Sequence, residues 1–375
     1  MERKIIIRIL VDIGHPAHVH LFRNILKSFE DAGYEYLVVA RNKDITLNLL
    51  RLYNIPYIVI APIGYGTFGS FRELVQREIK LFLIGRKFKP DIITGTSVNA
   101  ARVAKMLGAK SVILNEDDAG VVPLFRWLAY PLATAIVTPK SLAYENYGTS
   151  HLTYPSYQKL FYLHPNRFTP DKSVRKELGI SDDERYAIIR TSALKAHHDR
   201  NALGITQELI SEVIELVKGN IRIFISSERE LESEFNAYRM GISPERMHHA
   251  LAFADFFVGD SQSMTMEAAL LGTPAFRINS FVGRITVIKE IENYGLAFGF
   301  RPGQEGLLFD ELKRLLAMED RKDEFKKRLK KILSEKIDPL PWFLNIIDMM
   351  LHDKSVQEIK ELDMEKYRGN WKWGD

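Results

Sequence analysis

Short runs rich in β-branched residues alternate with longer helical patterns along this chain of 375 residues. Such alternation is typical of a parallel sheet covered by helices. In the first half it predicts strands at Ile5–Asp12, Tyr36–Ala40, Tyr57–Ile60, Asp91–Thr94, Ser111–Leu114 and Ala135–Thr138. The helices are clearest at His18–Ala32, which ends before Gly33, and at Phe71–Lys87.

The alternation stops between His151 and Asp171, where prolines interrupt a stretch rich in Tyr, Asn and Ser, so we predict a linker there. A second set then predicts strands at Tyr186–Arg190, Ile221–Ser226, Phe256–Gly259 and Pro274–Arg277. Its helices are predicted at Asn201–Lys218, Met264–Leu271 and Gly306–Ala317, and the stretch Glu319–Tyr367 also has a helical pattern. We expect an α/β protein with two doubly wound, Rossmann-like domains facing each other across a cleft. The expected boundaries are 1–160, 161–345 and a helical tail at 346–375.

The composition narrows the class of protein. Without cysteine the chain has no disulfide framework, thiolate nucleophile or zinc–thiolate site, and a cytoplasmic protein fits best. The formal charge of +4 is too small for a dedicated nucleic-acid binder. The most apolar window, Val121–Val137, holds Arg126 and two prolines and is shorter than the roughly 20 residues of a membrane span. We predict a buried helix leading into a strand there, with contact to a membrane surface as the alternative.

The most specific motif is Gly259–Pro274, where a strand ends in a small polar turn and a helix begins directly after it. The N–H groups at a helix start are unpaired and lie at the positive end of the helix dipole, which suits a phosphate. Ser261 and Ser263 add hydroxyl donors. Glu267 lies about one turn further in, where a carboxylate could accept the hydroxyls of a ribose. The alternative is that Asp260 or Ser261 caps the helix and Glu267 is a surface residue.

This run resembles the segment shared by UDP-N-acetylglucosamine 2-epimerases and many GT-B glycosyltransferases. The resemblance implies a GT-B-like fold in which Ser261, Gln262 and Ser263 face the diphosphate and Glu267 binds the uridine ribose. Gln262 and Ser263 stand where the epimerases have two glycines. The chain also resembles an uncharacterised, mostly archaeal group of GT-B-like proteins whose amino terminus reads much like VDIGHPAHVHLFR, residues 11–23 here.

The same stretch places a strand, a loop containing Gly14 and a helix in succession, with His15, His18 and His20 close together. It resembles the Gly-rich loop of the N-acetylglucosaminyltransferase of lipid-linked peptidoglycan synthesis, with His18 at the histidine position. An imidazole near neutral pH can accept a proton from an attacking hydroxyl, so we predict His18, and secondarily His15, as catalytic and Gly14 as a substrate contact. For each histidine the alternative is a helix cap or a buried, hydrogen-bonded ring. We predict no metal site, because neighbours two apart on a helix do not converge.

Three consecutive acids follow the strand SVIL, within residues 115–120. Their mutual repulsion predicts a perturbed pKa. The segment resembles an epimerase motif in which a Glu precedes Gly by two residues. Asp118 takes that place and is our second candidate for the catalytic base. Thr96 stands where the epimerases have an Asp. The alternative is that Asp117 or Asp118 caps a helix that begins near Val121.

A basic loop follows the first strand of the second set. Arg190, Lys195 and His198 are natural counter-charges to a diphosphate, and epimerases and related transferases carry a Thr/His/Arg loop at this place. The alternative is a loop that only caps the next helix, at Asp199 or Asn201.

Together these motifs predict a glycosyltransferase that moves a sugar from a UDP-sugar donor to an unidentified hydroxyl acceptor, without a metal or other cofactor. The nucleotide would lie in the second domain and the acceptor in the first. The open alternatives are a nucleotide-sugar 2-epimerase and a non-catalytic protein that binds nucleotide sugars.

Overall fold

The computed structural model of the chain describes residues 6–43, 45–61, 66–192 and 204–369. The strands are β1 (Arg8–Ile13), β2 (Glu35–Arg41), β3 (Ile58–Ala61), β4 (Ile92–Gly95), β5 (Lys110–Leu114), β6 (Ala135–Pro139), β7 (His151–Tyr154), β8 (Tyr186–Thr191), β9 (Arg222–Ser227), β10 (Phe257–Gly259), β11 (Ala275–Ile278) and β12 (Ala297–Phe300).

The α-helices are α1 (Pro16–Asp31), α2 (Thr46–Leu52), α3 (Gly66–Phe88), α4 (Val98–Leu107), α5 (Leu160–Leu163), α6 (Val174–Glu177), α7 (Gln207–Val217), α8 (Met247–Phe253), α9 (Gln262–Leu270), α10 (Thr286–Asn293), α11 (Glu305–Ala317), α12 (Arg321–Glu335), α13 (Pro339–Leu351) and α14 (Val356–Lys360).

The strands form two parallel sheets. The order in the first is β3-β2-β1-β4-β5-β6-β7, and in the second it is β12-β11-β10-β8-β9. In the first sheet β2 and β3 lie on one side of β1 and β4 to β7 on the other, and in the second sheet β9 lies on one side of β8 and β10 to β12 on the other. Each sheet therefore has a topological switch point, between β1 and β4 and between β8 and β10. In open parallel sheets, ligands bind outside the carboxyl ends of the strands at such a switch point. The α/β, Rossmann-like architecture predicted from the sequence is confirmed.

Two local predictions were wrong in part. The segment predicted as a linker begins with β7, which pairs with β6 at the edge of the first sheet. Its His151 is buried and hydrogen-bonds through Nε2 to the hydroxyl of Thr138, 2.7 Å away, which holds β7 against β6. The helix predicted within Val121–Val137 is present at 123–132 and leads into β6, although it contains a π-helical turn at Phe125–Ala129 and a 3-10 turn at Tyr130–Leu132. Its predicted burial is wrong, because Leu124 and Trp127 are 50% and 73% exposed.

The described residues divide into two compact units, 6–164 with 336–369, and 165–335. The end of the chain returns to the first unit because the apolar face of α13 is buried there. Trp342 is 1% exposed, and its ring centroid lies 5.0 Å from that of Tyr154. The hydroxyl of Ser156 also donates to Ile337 O at 2.8 Å. This division concerns contacts and not independent folding, so the domain boundaries predicted above stay a prediction.

Candidate functional site

The switch point of the first sheet lies where β1 and β4 end side by side. Asp12, at the end of β1, pairs in register with Gly95, the last residue of β4. A Cβ at Gly95 would lie 2.7 Å from Asp12 O, so only glycine lets the two strand ends approach this closely. Of the predicted residues, Gly14 and His15 follow β1 and His18 lies in the first turn of α1, while Thr96 follows β4.

The His18 ring is hydrogen-bonded by both loops. Gly14 N–H donates to Nδ1 at 3.3 Å, and Thr96 Oγ1 lies 2.6 Å from Nδ1 and 2.7 Å from Nε2. Because Thr96 Oγ1 lies within hydrogen-bond distance of both nitrogens, its hydroxyl pairs with the ring in either neutral tautomer, donating to the bare nitrogen or accepting from the protonated one. Burial lowers the pKa of His18 well below its usual value, with the positive neighbours His15 and Lys159 acting in the same direction. The ring is therefore neutral at pH 7, the form in which an imidazole can accept a proton.

The other two histidines, His15 and His20, match the alternatives given for them, a helix cap and a buried, hydrogen-bonded ring. His15 is the N-cap of α1, and its Nδ1 accepts from Ala17 N–H at 3.2 Å. His20 is buried, with Nδ1 3.2 Å from the Tyr53 hydroxyl and its ring against Tyr162. A catalytic role of His15 stays a prediction.

A buried ion pair lies directly beneath the loop. Asp12 is fully buried, and Arg77 of α3 donates to its two carboxylate oxygens at 3.1 and 3.2 Å. The hydroxyl of Ser97, the N-cap of α4, also donates to Asp12. These contacts join β1, α3 and the start of α4. They therefore fix the ends of β1 and β4, which His18 and Thr96 follow.

The acidic loop follows β5 at the same edge of the sheet. Burial, with the nearby charge of Glu116, raises the pKa of Asp117 to about 6, so the predicted perturbation falls on this acid. The carboxylate of Asp118 accepts from the Tyr144 hydroxyl. Glu116 forms a buried ion pair with Lys159 and accepts from Gln158 N–H at 3.3 Å. Asp118 as the base stays a prediction.

The switch point of the second sheet lies between β8 and β10, and α9 begins directly after β10. Ser261 caps this helix, and its hydroxyl accepts from Met264 N–H at 3.4 Å. Residues 264–270 are buried, whereas Ser261, Gln262 and Ser263 are only partly buried. The accessible part of α9 is therefore its first turn, where the helix dipole is positive.

Glu267 is not the surface residue that the alternative assumed, since it is 4% exposed. Its Oε1 lies 3.4 Å from Nε2 of His248, a buried residue of α8. Sequence reasoning missed His248 because nothing in the local pattern of α8 separates it from an ordinary core position. Binding of a ribose by Glu267 stays a prediction.

Two further polar residues shape this edge. Asp260, between β10 and α9, accepts from Ser192 N–H at 2.6 Å and from Ile205 N–H at 3.3 Å, so it ties the loop after β8 to the start of α9. Arg190 donates to Glu228 of the loop after β9, which compensates its charge within the second unit. Its predicted diphosphate contact stays a prediction, and Lys195 and His198 lie outside the described residues.

The described ranges bring together no group of three or more His, Asp or Glu side chains that could hold a metal ion. Among the same residues, no helix combines the length and apolar character that crossing a bilayer would need.

Comparison by sequence finds one family and one distant relative of this chain. A family model described as "Protein of unknown function (DUF354)" matches residues 7–288, well over half of the chain. The relative, "Uncharacterized protein MJ0665" of Methanocaldococcus jannaschii, is 26% identical over 284 residues, which cover 70% of this chain and 79% of that protein.

Comparison with solved structures concerns the fold. The S. aureus MnaA–UDP structure superposes with a TM-score of 0.66 at 13% identity, covering 92% of this chain and 97% of that one. The spinosyn forosaminyltransferase SpnP gives 0.63 at 14% identity, with 92% and 100% covered. The UDP-GlcNAc 2-epimerase of M. jannaschii, in complex with UDP-GlcNAc and UDP, gives 0.62 at 14% identity, with 84% and 94% covered. The GT-B-like fold expected from the sequence is therefore confirmed.

Proposed function

The chain belongs to the family described as Protein of unknown function (DUF354), and we propose that it is a glycosyltransferase that moves a sugar from a UDP-sugar donor to a hydroxyl acceptor. The observation that carries the proposal is the position of α9, whose accessible first turn begins at the switch point of the second sheet. Proteins of this fold include a forosaminyltransferase and proteins solved with UDP or UDP-GlcNAc.

In this proposal the donor diphosphate binds at the start of α9. The N–H groups of Gln262 and Ser263, with the hydroxyl of Ser263, donate to it, and the helix dipole favours the charge that develops on departing UDP. Glu267 accepts from the ribose, held in place by His248 at 3.4 Å. Lys195 and His198 are proposed as further counter-charges. No metal is required, because the helix terminus and the cations offset the negative charge.

His18 is the proposed catalytic base of the first unit. The acceptor hydroxyl would donate to the ring nitrogen that carries no proton, in place of the Thr96 hydroxyl. Thr96 Oγ1, which lies 2.6 Å from Nδ1 and 2.7 Å from Nε2, would then accept the proton of the other nitrogen and orient the ring, as the third member of a catalytic triad orients its histidine. The lowered pKa keeps the ring unprotonated, so we expect activity to persist below pH 6.5 and to fall only as the pH approaches the lowered value.

A nucleotide-sugar 2-epimerase is the second candidate, because one observation favours it. Epimerisation needs groups that both give and take protons, and the pKa of Asp117, raised to about 6, suits that exchange near neutral pH. The two reactions differ in a simple way. A transferase needs an acceptor and leaves carbon 2 of the sugar unchanged, whereas an epimerase inverts carbon 2 without an acceptor.

The test is to incubate the full chain with UDP-N-acetylglucosamine, and with other UDP-sugars in parallel, with water as the only acceptor. We expect slow release of UDP, measured by chromatography, and no N-acetylmannosamine, either free or linked to UDP, in the NMR spectrum. Formation of the epimer without an acceptor would contradict the transferase and support the second candidate.

The matched variants are His18→Ala and His352→Ala, the latter at an exposed histidine. Loss of a general base lowers turnover by about 100-fold or more. We therefore expect His18→Ala to lower the rate of UDP release by that factor while UDP affinity is unchanged, and His352→Ala to behave as the parent. Equal rates for the two variants would remove His18 from the catalytic step.

A further inference from the structure

One surface of the first unit exposes large apolar side chains that neither the sheet nor the proposed site uses. On α3, Val75, Ile79 and Leu83 follow one another at a spacing of four residues and are 40%, 54% and 58% exposed. The residues of α3 that face inwards are instead Glu73, Arg77 and Leu81. The side of α3 that faces the solvent therefore carries a stripe of exposed aliphatic side chains, while the opposite side of the helix is buried.

Two neighbouring segments extend the stripe. Met106 of α4 is 56% exposed, and Trp127, in the π-helical turn, is 73% exposed, with Leu124 close by in the chain. A shallow groove of about 380 Å³ connects the three segments, since its lining includes Ile79, Leu83, Met106 and Leu128. We call this surface the apolar face; it consists of Val75, Ile79, Leu83, Met106, Leu124 and Trp127.

The exposed charges on these three segments are all positive. Arg72 and Arg86 lie three residues before Val75 and three after Leu83, on the same side of α3. Four more exposed cations lie on the three segments: Lys80, Lys87, Lys105 and Arg126. In residues 72–88, 98–107 and 121–132 the acids are Glu73 and Glu78, and these pair with Arg41 and Arg102. Nothing acidic on these segments therefore offsets the exposed cations.

We propose that the apolar face docks on the surface of an anionic lipid bilayer. Aliphatic side chains would enter the boundary between headgroups and acyl chains, and the indole of Trp127 suits that boundary because it has an apolar body and a polar N–H. The cations at the rim would meet anionic headgroups. Docking in this manner needs no spanning helix, and it does not depend on the proposed function.

The charge pattern favours a bilayer over a second copy of this chain. In a symmetric dimer the same patch forms both sides of the interface, so the six exposed cations of one copy would meet the same six of the other. Such like-charge contacts oppose association. An anionic membrane surface offers both the apolar environment and the opposite charge.

The experiment is co-sedimentation of the full chain with vesicles of phosphatidylcholine, with or without phosphatidylglycerol. We expect binding to the vesicles that contain phosphatidylglycerol, weakened when the salt concentration rises. The double variant Ile79→Ser with Trp127→Ser should bind at least tenfold more weakly, and Lys80→Glu with Arg126→Glu should also lose binding. The matched controls, Leu307→Ser at a residue 57% exposed and Lys313→Glu at an exposed lysine, should bind as the parent does.

A spectroscopic measurement covers the case in which a double variant folds poorly. Anionic vesicles should shift the tryptophan emission of the parent to shorter wavelength, and the conservative variant Trp127→Phe should lose that shift. Equal sedimentation with both kinds of vesicle, or with neither, would overturn the proposal. The proposal would also be overturned if sedimentation velocity showed that the parent is a dimer and that the double variant Ile79→Ser with Trp127→Ser is a monomer. A second copy of the chain would then cover the apolar face.

Discussion

The Asp117 carboxyl group is the acid whose environment most clearly opposes its charge. Burial is the main cause, and the negative neighbours Glu116 and Asp118 add to it, while Lys159 acts in the opposite direction. Because the pKa rises from 3.8 to about 6, the folded chain holds this proton more tightly than the unfolded chain does. The folded state therefore loses stability as the pH rises from about 4 through 6, and above that the ionised group remains a cost.

We predict that Asp117→Asn stabilises the protein at pH 8 and has little effect at pH 4. The amide resembles the protonated acid and carries no charge, so it removes a cost of about 1 to 3 kcal/mol that exists only when Asp117 is ionised. The measurement is the melting temperature of both proteins at the two pH values. Asp310→Asn, at an exposed residue of α11, is the control. A gain of equal size at pH 4 would refute this account of Asp117.

At the scale of elements, the two switch points have one feature in common, a glycine at the end of a strand. Gly95 ends β4 and Gly259 ends β10, and a Cβ at either would lie 2.7 Å from the backbone oxygen of the adjoining strand, Asp12 O or Arg190 O. The close approach of the two strand ends brings together the loops that follow two neighbouring strands of the sheet. In the second sheet it also fixes the direction from which the chain enters α9.

Alanine at these glycines should therefore destabilise the protein. For Gly95→Ala and for Gly259→Ala we predict a loss of about 1 to 3 kcal/mol, because the backbone must shift to relieve the contact. Gly120→Ala is the control: a Cβ there meets nothing within 4 Å, and a change within about 0.5 kcal/mol is expected. The measurement is urea unfolding followed by circular dichroism. Equal urea midpoints for Gly95→Ala, Gly259→Ala and Gly120→Ala would contradict the prediction.

How far the elements could be predicted depended on their burial. β1, β5 and β6 are buried on both faces, so their sequences are nearly continuous apolar runs. β7 reads His-Leu-Thr-Tyr beside a proline, and β12 is four residues with a glycine, so neither gave a strand signal.

The candidate site divides in the same way. Parallel topology brings the ends of β1, β4 and β5 to one edge, so the loops that follow them could be predicted to gather there. Their partners could not be predicted. Arg77 meets Asp12 across 65 residues and Lys159 meets Glu116 across 43, distances at which no local pattern connects two positions.

At the scale of the whole molecule, the end of the chain is part of the first unit. α13 buries Trp342 and Phe343 beside Tyr154 and Phe161. This explains why residues 336–369 follow the second unit in sequence but belong with the first. The aromatic cluster should therefore contribute to the stability of the first unit.

We predict that Trp342→Ala costs about 3 to 5 kcal/mol, since it removes a fully buried aromatic side chain and leaves a cavity. Trp127→Ala, at a residue 73% exposed, should change stability by no more than about 0.5 kcal/mol. Calorimetric unfolding of both variants is the measurement. A loss below about 1 kcal/mol for Trp342→Ala would mean that α13 does not stabilise the first unit.

The central claim for the molecule is that the first turn of α9 binds the diphosphate of a nucleotide sugar. Isothermal titration of the full chain with UDP tests it most directly, with Ser263→Glu as the variant and Ser233→Glu, at an exposed serine of the same unit, as the charge-matched control. A carboxylate in a first helical turn favours the helix but repels a phosphate at the same place. We predict that UDP binds the parent and the control equally and binds Ser263→Glu at least tenfold more weakly, without loss of thermal stability. Absence of any heat with UDP, or equal binding by all three proteins, would contradict the claim.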